Sequence, residues 1–464
     1  MSELEKVIML AEKGDPDAQC DLGKIYEEGI LVPQSYCEAF KWHNRSAHLG
    51  NAESQFRLGW LYSNGRGVRK DDKTALYWYM LASEQGHTEA QCWVGWMHDN
   101  GNGVEQSSAE AVKFYKLAAE KGNADAQYKL GEMHEYGRGY RKSIVSMDIN
   151  EAIRWYTLAA EQGHAEARFW LGSIYEMGRY AIAKDFDKAF LWYKLATESR
   201  HAEAHLKLGE MYAEGKGVSQ NYDEALKCYK FVASLDDAEA QFRVGEMYEK
   251  GLGVPKSISD AIKWYKLAAE QGHEDAQCNI GTIYENGEGI PRDYDEAYKW
   301  YKLAADGVLA KAEYHLGTMY ENGRGVSQDN DEAIRWYMKA AEGGCAKAQV
   351  HLASLFETGT FLSQSIDEAY KWYKLAAEQG DAYAQCSMGW FYENGWGVSK
   401  SDNAAIKWYR RAADHGGSYS LFFMGITYEK GIGAVEKNKE KAIEFYSRAI
   451  ELGNNRAKSA ISRL

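Results

Sequence analysis

The sequence predicts an all-α fold: an α/α superhelix, or solenoid, of about twelve two-helix repeats. Two observations carry this reading. A glycine recurs as Gly23, Gly59, Gly95, Gly131, Gly172, Gly209, Gly245, Gly281, Gly317, Gly389 and Gly425, with Ala353 once in its place. Most steps are 36 residues; the step from Gly131 to Gly172 is 41 and that from Gly172 to Gly209 is 37. After each glycine comes an alanine–aromatic pattern at helical spacing. A fixed period of this kind marks stacked units, each hiding its apolar faces only against its neighbours. An array of this kind also accommodates 464 residues without one large core.

The register from Asp275 to Gly307 shows why each element forms. Ala276, Ile280 and Tyr284 are four apart with Gly281 beside them, one stripe of a first helix, helix A. Gly281 has no side chain, so a neighbouring helix can approach closely. Asn286–Gly287 fits a helix stop, because glycine tolerates the left-handed conformation, and Gly289 continues the turn. Helix B follows, with Ala297, Trp300, Tyr301, Ala304 and Ala305 on one face. Asp293 or Asp295 can cap its start, and Gly307 closes the unit. Ala333, Trp336, Tyr337, Ala340 and Ala341 repeat the pattern, as do Ala369, Trp372, Tyr373, Ala376 and Ala377. This periodicity accounts for most of the 45 Gly and for the aromatic excess of 33 Tyr and 15 Trp.

Residues 1–14, with Leu4, Ile8 and Ala11, read as an N-terminal capping helix, and 454–464, with Ala457 and Ile461, as a C-terminal one. Residues 15–453 hold the repeats. The segment 139–236 is irregular. A five-residue insertion falls between Gly139 and Glu151, Tyr180 replaces a loop glycine, Ser199–Arg200 replaces a closing glycine, and Cys228 stands where Trp is usual. A change in curvature or a binding loop is expected there. No polar linker interrupts the repeats, so 1–464 reads as a single domain.

The run Ala276-x3-Ile280-Gly281-x2-Tyr284-x2-Gly287-x-Gly289, completed by Ala297, Trp300-Tyr301 and Ala304-Ala305, resembles the Sel1-like repeat, a relative of the tetratricopeptide repeat. The resemblance extends from about Asp15 to Gly453. It implies a scaffold or adaptor that holds proteins in complexes. One cysteine-rich bacterial branch of the family is linked to β-lactam hydrolysis, which makes a hydrolase the alternative. That branch carries a regular cysteine pair in each repeat, and this chain does not. Of its seven cysteines, Cys20, Cys92, Cys278 and Cys386 share one helical position and act as small hydrophobes, while Cys37, Cys228 and Cys345 follow no register.

Other chemistries find little support. A net charge of -13 disfavours nucleic acid and suits basic peptides or basic faces of partners. No run of 18 apolar residues exists and the start is not signal-like, so a cytoplasmic location is expected, without direct membrane insertion. The G-x-G doublets follow helices and recur in almost every unit, so they read as turns rather than phosphate loops. No cofactor, metal site or catalytic residue is expected.

Helix A should line the concave side, and its non-core positions are where recognition can be written. Two of them share a face: two residues before the repeated glycine, and one after it. Their chemistry varies over a fixed core. The protein-binding candidates drawn from them are Arg57, Trp60, Trp93, Trp96, Trp170, His315, His351, Trp390 and Phe423. Trp60, Trp93 and Trp96 form the sharpest patch, because exposed Trp and Arg are favoured at hot spots; the competing reading is packing between repeats. Four residues after the glycine runs an acidic stripe: Glu27, Asp99, Glu135, Glu176, Glu249, Glu285, Glu321, Glu357, Glu393 and Glu429, broken by Ser63 and Ala213. Near the end of helix A the dipole disfavours a carboxylate. A compensating bond to loop N–H groups or to a neighbouring Arg or Lys is expected, with a negative groove for basic peptides as the alternative. Self-association through the ends or the convex face is a third role the sequence allows.

Overall fold

The structure, a computed structural model, describes residues 3–137, 147–179 and 182–464. The insertion after Gly139, as far as residue 146, and Tyr180 lie outside the described residues. Among the described residues there are 26 α-helices and no strand. A first helix, Glu3–Glu12, and a last one, Asn455–Ile461, flank twelve helix pairs, repeats 1 to 12 in chain order. Helix A and helix B are Ala52–Asn64 and Asp72–Glu84 in repeat 2, Thr88–Asn100 and Ser108–Glu120 in repeat 3, and Ala124–Tyr136 and Ile149–Glu161 in repeat 4. In repeat 8 they are Glu274–Asn286 and Tyr294–Asp306, in repeat 9 Ala310–Asn322 and Asn330–Glu342, and in repeat 11 Ala382–Asn394 and Asp402–Asp414.

The helices gather into two compact units, Met1–Val232 and Ala233–Leu464. Within each, packing runs between sequence neighbours: A against B inside a repeat, then B against the next A. The core is correspondingly a series of small clusters. In repeat 8, Ala297, Tyr301, Ala304 and Ala305 pack with Ala312, Leu316 and Met319 of the next repeat.

Local chemistry sets the boundaries of each helix. In repeat 8 the Asp293 carboxylate accepts from the N–H groups of Asp295 and Glu296, which caps helix B. His273 caps helix A, its Nδ1 accepting from the Ala276 N–H at 3.3 Å. Helix A ends at Gly287 with φ 67°, and Gly289 follows with φ 68°. The second loop glycine is required by space as well. A Cβ on Gly289 would lie 2.9 Å from the Ile258 side chain, and one on Gly67 would lie 2.2 Å from the Tyr36 carbonyl oxygen.

The repeated helix-A glycine does what its position implies. A Cβ on Gly281 would lie 2.8 Å from the Tyr301 ring, and the same close approach joins Gly95 to Tyr115 and Gly425 to Tyr446. This lets the large tyrosine of helix B lie flat against helix A and become fully buried.

In seven of the twelve repeats a glutamine early in helix A ties the repeat to the helix before it. Gln277 donates to the Ala269 carbonyl, Gln127 to Ala119 and Gln385 to Ala377, all at 3.1 Å. These bonds satisfy carbonyls at the end of the preceding helix B that have no partner within that helix.

At three repeat junctions the left-handed closing residue is not glycine but Arg200, Asp236 or Val308. Gly307 does not take the left-handed closing conformation; it sits at φ -80° and Val308 takes that conformation at φ 70°. The glycine falls one residue early, because two glycines stand at the equivalent place in repeat 9, where Gly344 is left-handed at φ 87°. Arg200 likewise takes the closing position, at φ 58°. A side chain in this region costs roughly 1–2 kcal/mol per residue. Cys228 is buried where most of its counterparts are Trp.

Candidate functional site

The acidic stripe has a structural partner that single-helix reasoning does not show. The hydroxyl of the buried helix-B tyrosine donates to the helix-A glutamate of the same repeat. Tyr156 bonds Glu135 at 2.9 Å, Tyr193 bonds Glu176 at 2.7 Å, Tyr265 bonds Glu249 at 2.5 Å and Tyr301 bonds Glu285 at 2.7 Å. Tyr337–Glu321, Tyr373–Glu357, Tyr409–Glu393 and Tyr446–Glu429 follow at 2.6, 2.9, 2.7 and 2.5 Å. In repeat 1 the pair is Glu27 and His43, 3.3 Å apart. The compensating donor near the end of helix A is therefore mainly the core tyrosine rather than a loop N–H. In repeat 3 the acid is Asp99, one methylene shorter, and the buried Tyr115 hydroxyl has no hydrogen-bond partner.

The next repeat completes this seam from above. The residue two before its glycine lies over the tyrosine ring. Trp93 stacks on Tyr79 with centroids 6.0 Å apart and planes at 14°. His315 stacks on Tyr301 at 4.6 Å and 7°, and Phe423 on Tyr409 at 4.6 Å and 14°. His351 tilts over Tyr337 at 4.4 Å. The polar members also reach the acid below: His315 Nδ1 is 3.3 Å from Glu285, His351 Nε2 is 3.2 Å from Glu321, and Arg57 is 3.3 Å from Glu27 while bonding Glu53 at 2.8 Å. Burial raises the Glu285 pKa, but hydrogen bonds with His315 and Tyr301 outweigh it and hold the carboxyl below its usual value. Glu135, with no such histidine over it, goes the other way: burial lifts it and the Tyr156 bond only partly offsets this.

All nine binding candidates are half-buried, and the glutamates of the stripe are buried or half-buried, as is Asp99. Trp60, Trp93 and Trp96 come together over the core cluster of Ala75, Tyr79, Val94, Met97 and Phe114. Trp93 and Trp96 meet edge to face at 5.4 Å, and the Arg66 guanidinium lies 6.0 Å from the Trp60 ring. Trp170 is edge-on to Tyr136 at 6.4 Å and to Phe169 at 5.9 Å. Trp390 meets Trp396 edge-on at 4.5 Å. Trp390 and Phe423 pack on separate core clusters, and His315 and His351 each serve their own tyrosine.

Two cavities lie at covering positions that carry no ring. Over Tyr115 the covering position belongs to Lys129, whose ammonium turns to Glu132 at 2.6 Å and to the Tyr128 ring at 5.2 Å. A cavity of about 360 Å³ is left there, walled by Cys92, Trp93, Trp96, Tyr115 and Tyr128, with Asp125, Lys129, His164 and Glu166 completing it. In the second unit the covering position of repeat 11 holds only Ser387. A cavity of about 410 Å³ lies beside it, among Tyr383, Cys386, Trp390 and Tyr419. Both match the smaller end of ligand pockets, roughly 300–1,000 Å³. The residues that sequence reasoning missed are the tyrosines and the pocket walls Tyr128, Asp125, His164 and Glu166. The tyrosines carried a signal: each stands 16 or 17 residues after its acid in seven of the eight hydrogen-bonded pairs.

The seven cysteines are all free thiols, and burial pushes Cys92 up to about 12. Among the described residues no group of three or more His, Cys, Asp or Glu could hold a metal ion, and no helix is long and apolar enough to cross a membrane.

Paired helices stacked by shared seams define a repeat solenoid related to the tetratricopeptide class. The chain belongs to the Sel1 repeat family: the family's Sel1 repeat matches twelve consecutive segments, 16–51, 52–87, 88–123, 124–164, 165–201, 202–237, 238–273, 274–307, 310–345, 346–381, 382–417 and 418–454. Among solved structures, it is similar to a protective antigen present in uropathogenic Escherichia coli strains that displays an SLR fold. Identity is 31% over 100% of this chain and 98% of that one, with a TM-score of 0.79. It is also 31% identical to a Sel1 repeat protein from Oxalobacter formigenes over 54% of this chain and 100% of that one, with a TM-score of 0.49. No curated protein gives a match.

Proposed function

We propose that this chain is a non-enzymatic protein-interaction scaffold that holds a partner protein or peptide on its helix-A surface. One observation carries the reading: two aromatic-walled cavities, one in each unit, open on A helices where the residue over the core tyrosine is Lys129 or Ser387 instead of a ring. Half-buried indoles beside such openings are what a partner's side chain can cover at little cost in ordering, since their packing already fixes them. The general scaffold character of the fold agrees with this reading.

Selection of a random peptide library on the full chain tests it. The enriched peptides should bind the folded Trp93→Ala/Trp96→Ala or Trp390→Ala variants at least tenfold more weakly than the parent. Equal affinity for all three proteins, each folded by circular dichroism, would remove the helix-A assignment.

A further inference from the structure

We infer that the cavity over Tyr115 is a receptor for the guanidinium group of an arginine side chain carried by a basic segment of the partner, an assignment that rests on the scaffold reading above. Three features of the cavity select this group.

First, its walls are π faces. Trp93 and Trp96 stand 5.4 Å apart with planes at 68°, so they present two ring surfaces to one space, with Tyr128 on a further side. A planar, weakly hydrated cation stacks on such faces better than a compact, strongly hydrated ammonium does. Second, the cavity already shows the interaction internally: the Lys129 ammonium lies 5.2 Å from the Tyr128 ring centre. That ammonium is hydrogen-bonded to Glu132 at 2.6 Å and not to Asp125 or Glu166, which lie against the His164 imidazole.

Third, those acids sit at the mouth. Asp125 and Glu166 have side chains 78% and 57% exposed, and both contact the His164 imidazole, at 3.3 and 3.9 Å. They come from adjacent A helices, Ala124–Tyr136 and Ala165–Met177, and flank the opening. A guanidinium entering between them can donate to a carboxylate with its edge while its face lies on indole, a match of geometry and charge. An apolar side chain would instead have to desolvate both carboxylates without return. The net charge of -13 adds a long-range attraction for the basic segment.

The test uses the full chain labelled with 5-fluorotryptophan and followed by fluorine NMR. The Trp93 and Trp96 signals are identified by their loss in Trp93→Phe and Trp96→Phe. The probes are the N-acetyl methylamides of arginine, lysine and citrulline. Arginine should shift both signals saturably. Lysine should bind several-fold more weakly, and citrulline, which keeps the shape and loses the charge, at least tenfold more weakly. Asp125→Asn/Glu166→Gln, both at exposed positions that leave the core intact, should weaken arginine binding roughly tenfold.

Citrulline or lysine binding as tightly as arginine would overturn the assignment, as would the absence of a saturable shift at Trp93 and Trp96. The two readings fail separately. If library peptides need Trp93 and Trp96 but tolerate replacement of every arginine by citrulline, the guanidinium receptor falls and the scaffold stands. If the arginine probe fills the cavity while no peptide depends on the helix-A tryptophans, the pocket chemistry stands and the scaffold reading falls.

Discussion

Repeats 3 and 8 share one frame and finish it differently. In both, a helix-A glycine lets the helix-B tyrosine lie flat, with a Cβ position 2.8 Å from the ring. In repeat 8 the hydroxyl of that tyrosine is held by Glu285 and its upper face is covered by His315. In repeat 3 the acid is Asp99, the Tyr115 hydroxyl has no partner, and Lys129 turns aside to leave a cavity. The difference separates two roles that look alike along the sequence. The acidic stripe belongs to the interior, where it anchors tyrosines. The proposed recognition falls where the seam is incomplete, at the cavity over Tyr115.

The contrast can be broken or sharpened by substitution, with stability read from urea unfolding. The largest effect should come from the shared frame. Gly281→Val and Gly95→Val should each cost about 3 kcal/mol, since either forces the tyrosine ring off helix A. Ala353 faces Tyr373 in the same way, so a single methyl can be accommodated and Gly281→Ala should cost less. Unequal losses at the two glycines would mean the frame is not common to both repeats.

The next effect should differ between the repeats. Tyr301→Phe removes a donor from an ionised, half-buried carboxylate and should cost about 2 kcal/mol. Tyr115→Phe removes a hydroxyl that has no partner and should lie within about 0.5 kcal/mol of the parent. Equal losses would show that the Tyr301–Glu285 bond does not stabilise the seam. The smallest effect should be a gain: Asp99→Glu restores the missing methylene and should stabilise repeat 3 by about 1 kcal/mol. A loss of stability instead would mean that the short acid is needed where it stands.

Much of the frame was legible in the sequence. The glycine period fixed the registers, and within each the alanines and the tyrosine of helix B could be placed on one face. The stops at Gly287 and Gly289 and the cap at Asp293 followed from residue chemistry. The acidic stripe was visible too, but its partner was not. Glu285 and Tyr301 are 16 residues apart on different helices, and their meeting depends on how closely Gly281 lets those helices approach. The same limit applied to the tryptophans. Spacing on one helix put Trp93 and Trp96 on a common face. Only the stacking of one repeat on the next shows that Trp93 lies over Tyr79. In repeat 8 Gly307 closes helix B as its spacing implies, but that the left-handed residue is Val308, one position later, was not legible.

The contacts of His315 and His351 have a consequence for how such a chain can change its length. Each histidine makes the same two contacts with the repeat before it, a ring beneath and an acid beside. Excision of one 36-residue unit between them would hand His351 to Tyr301 and Glu285 and leave an equivalent junction. Recombination at this point can therefore add or remove a whole repeat without a scar, whereas a crossover that set Lys129 over Tyr301 would lose the stacked imidazole.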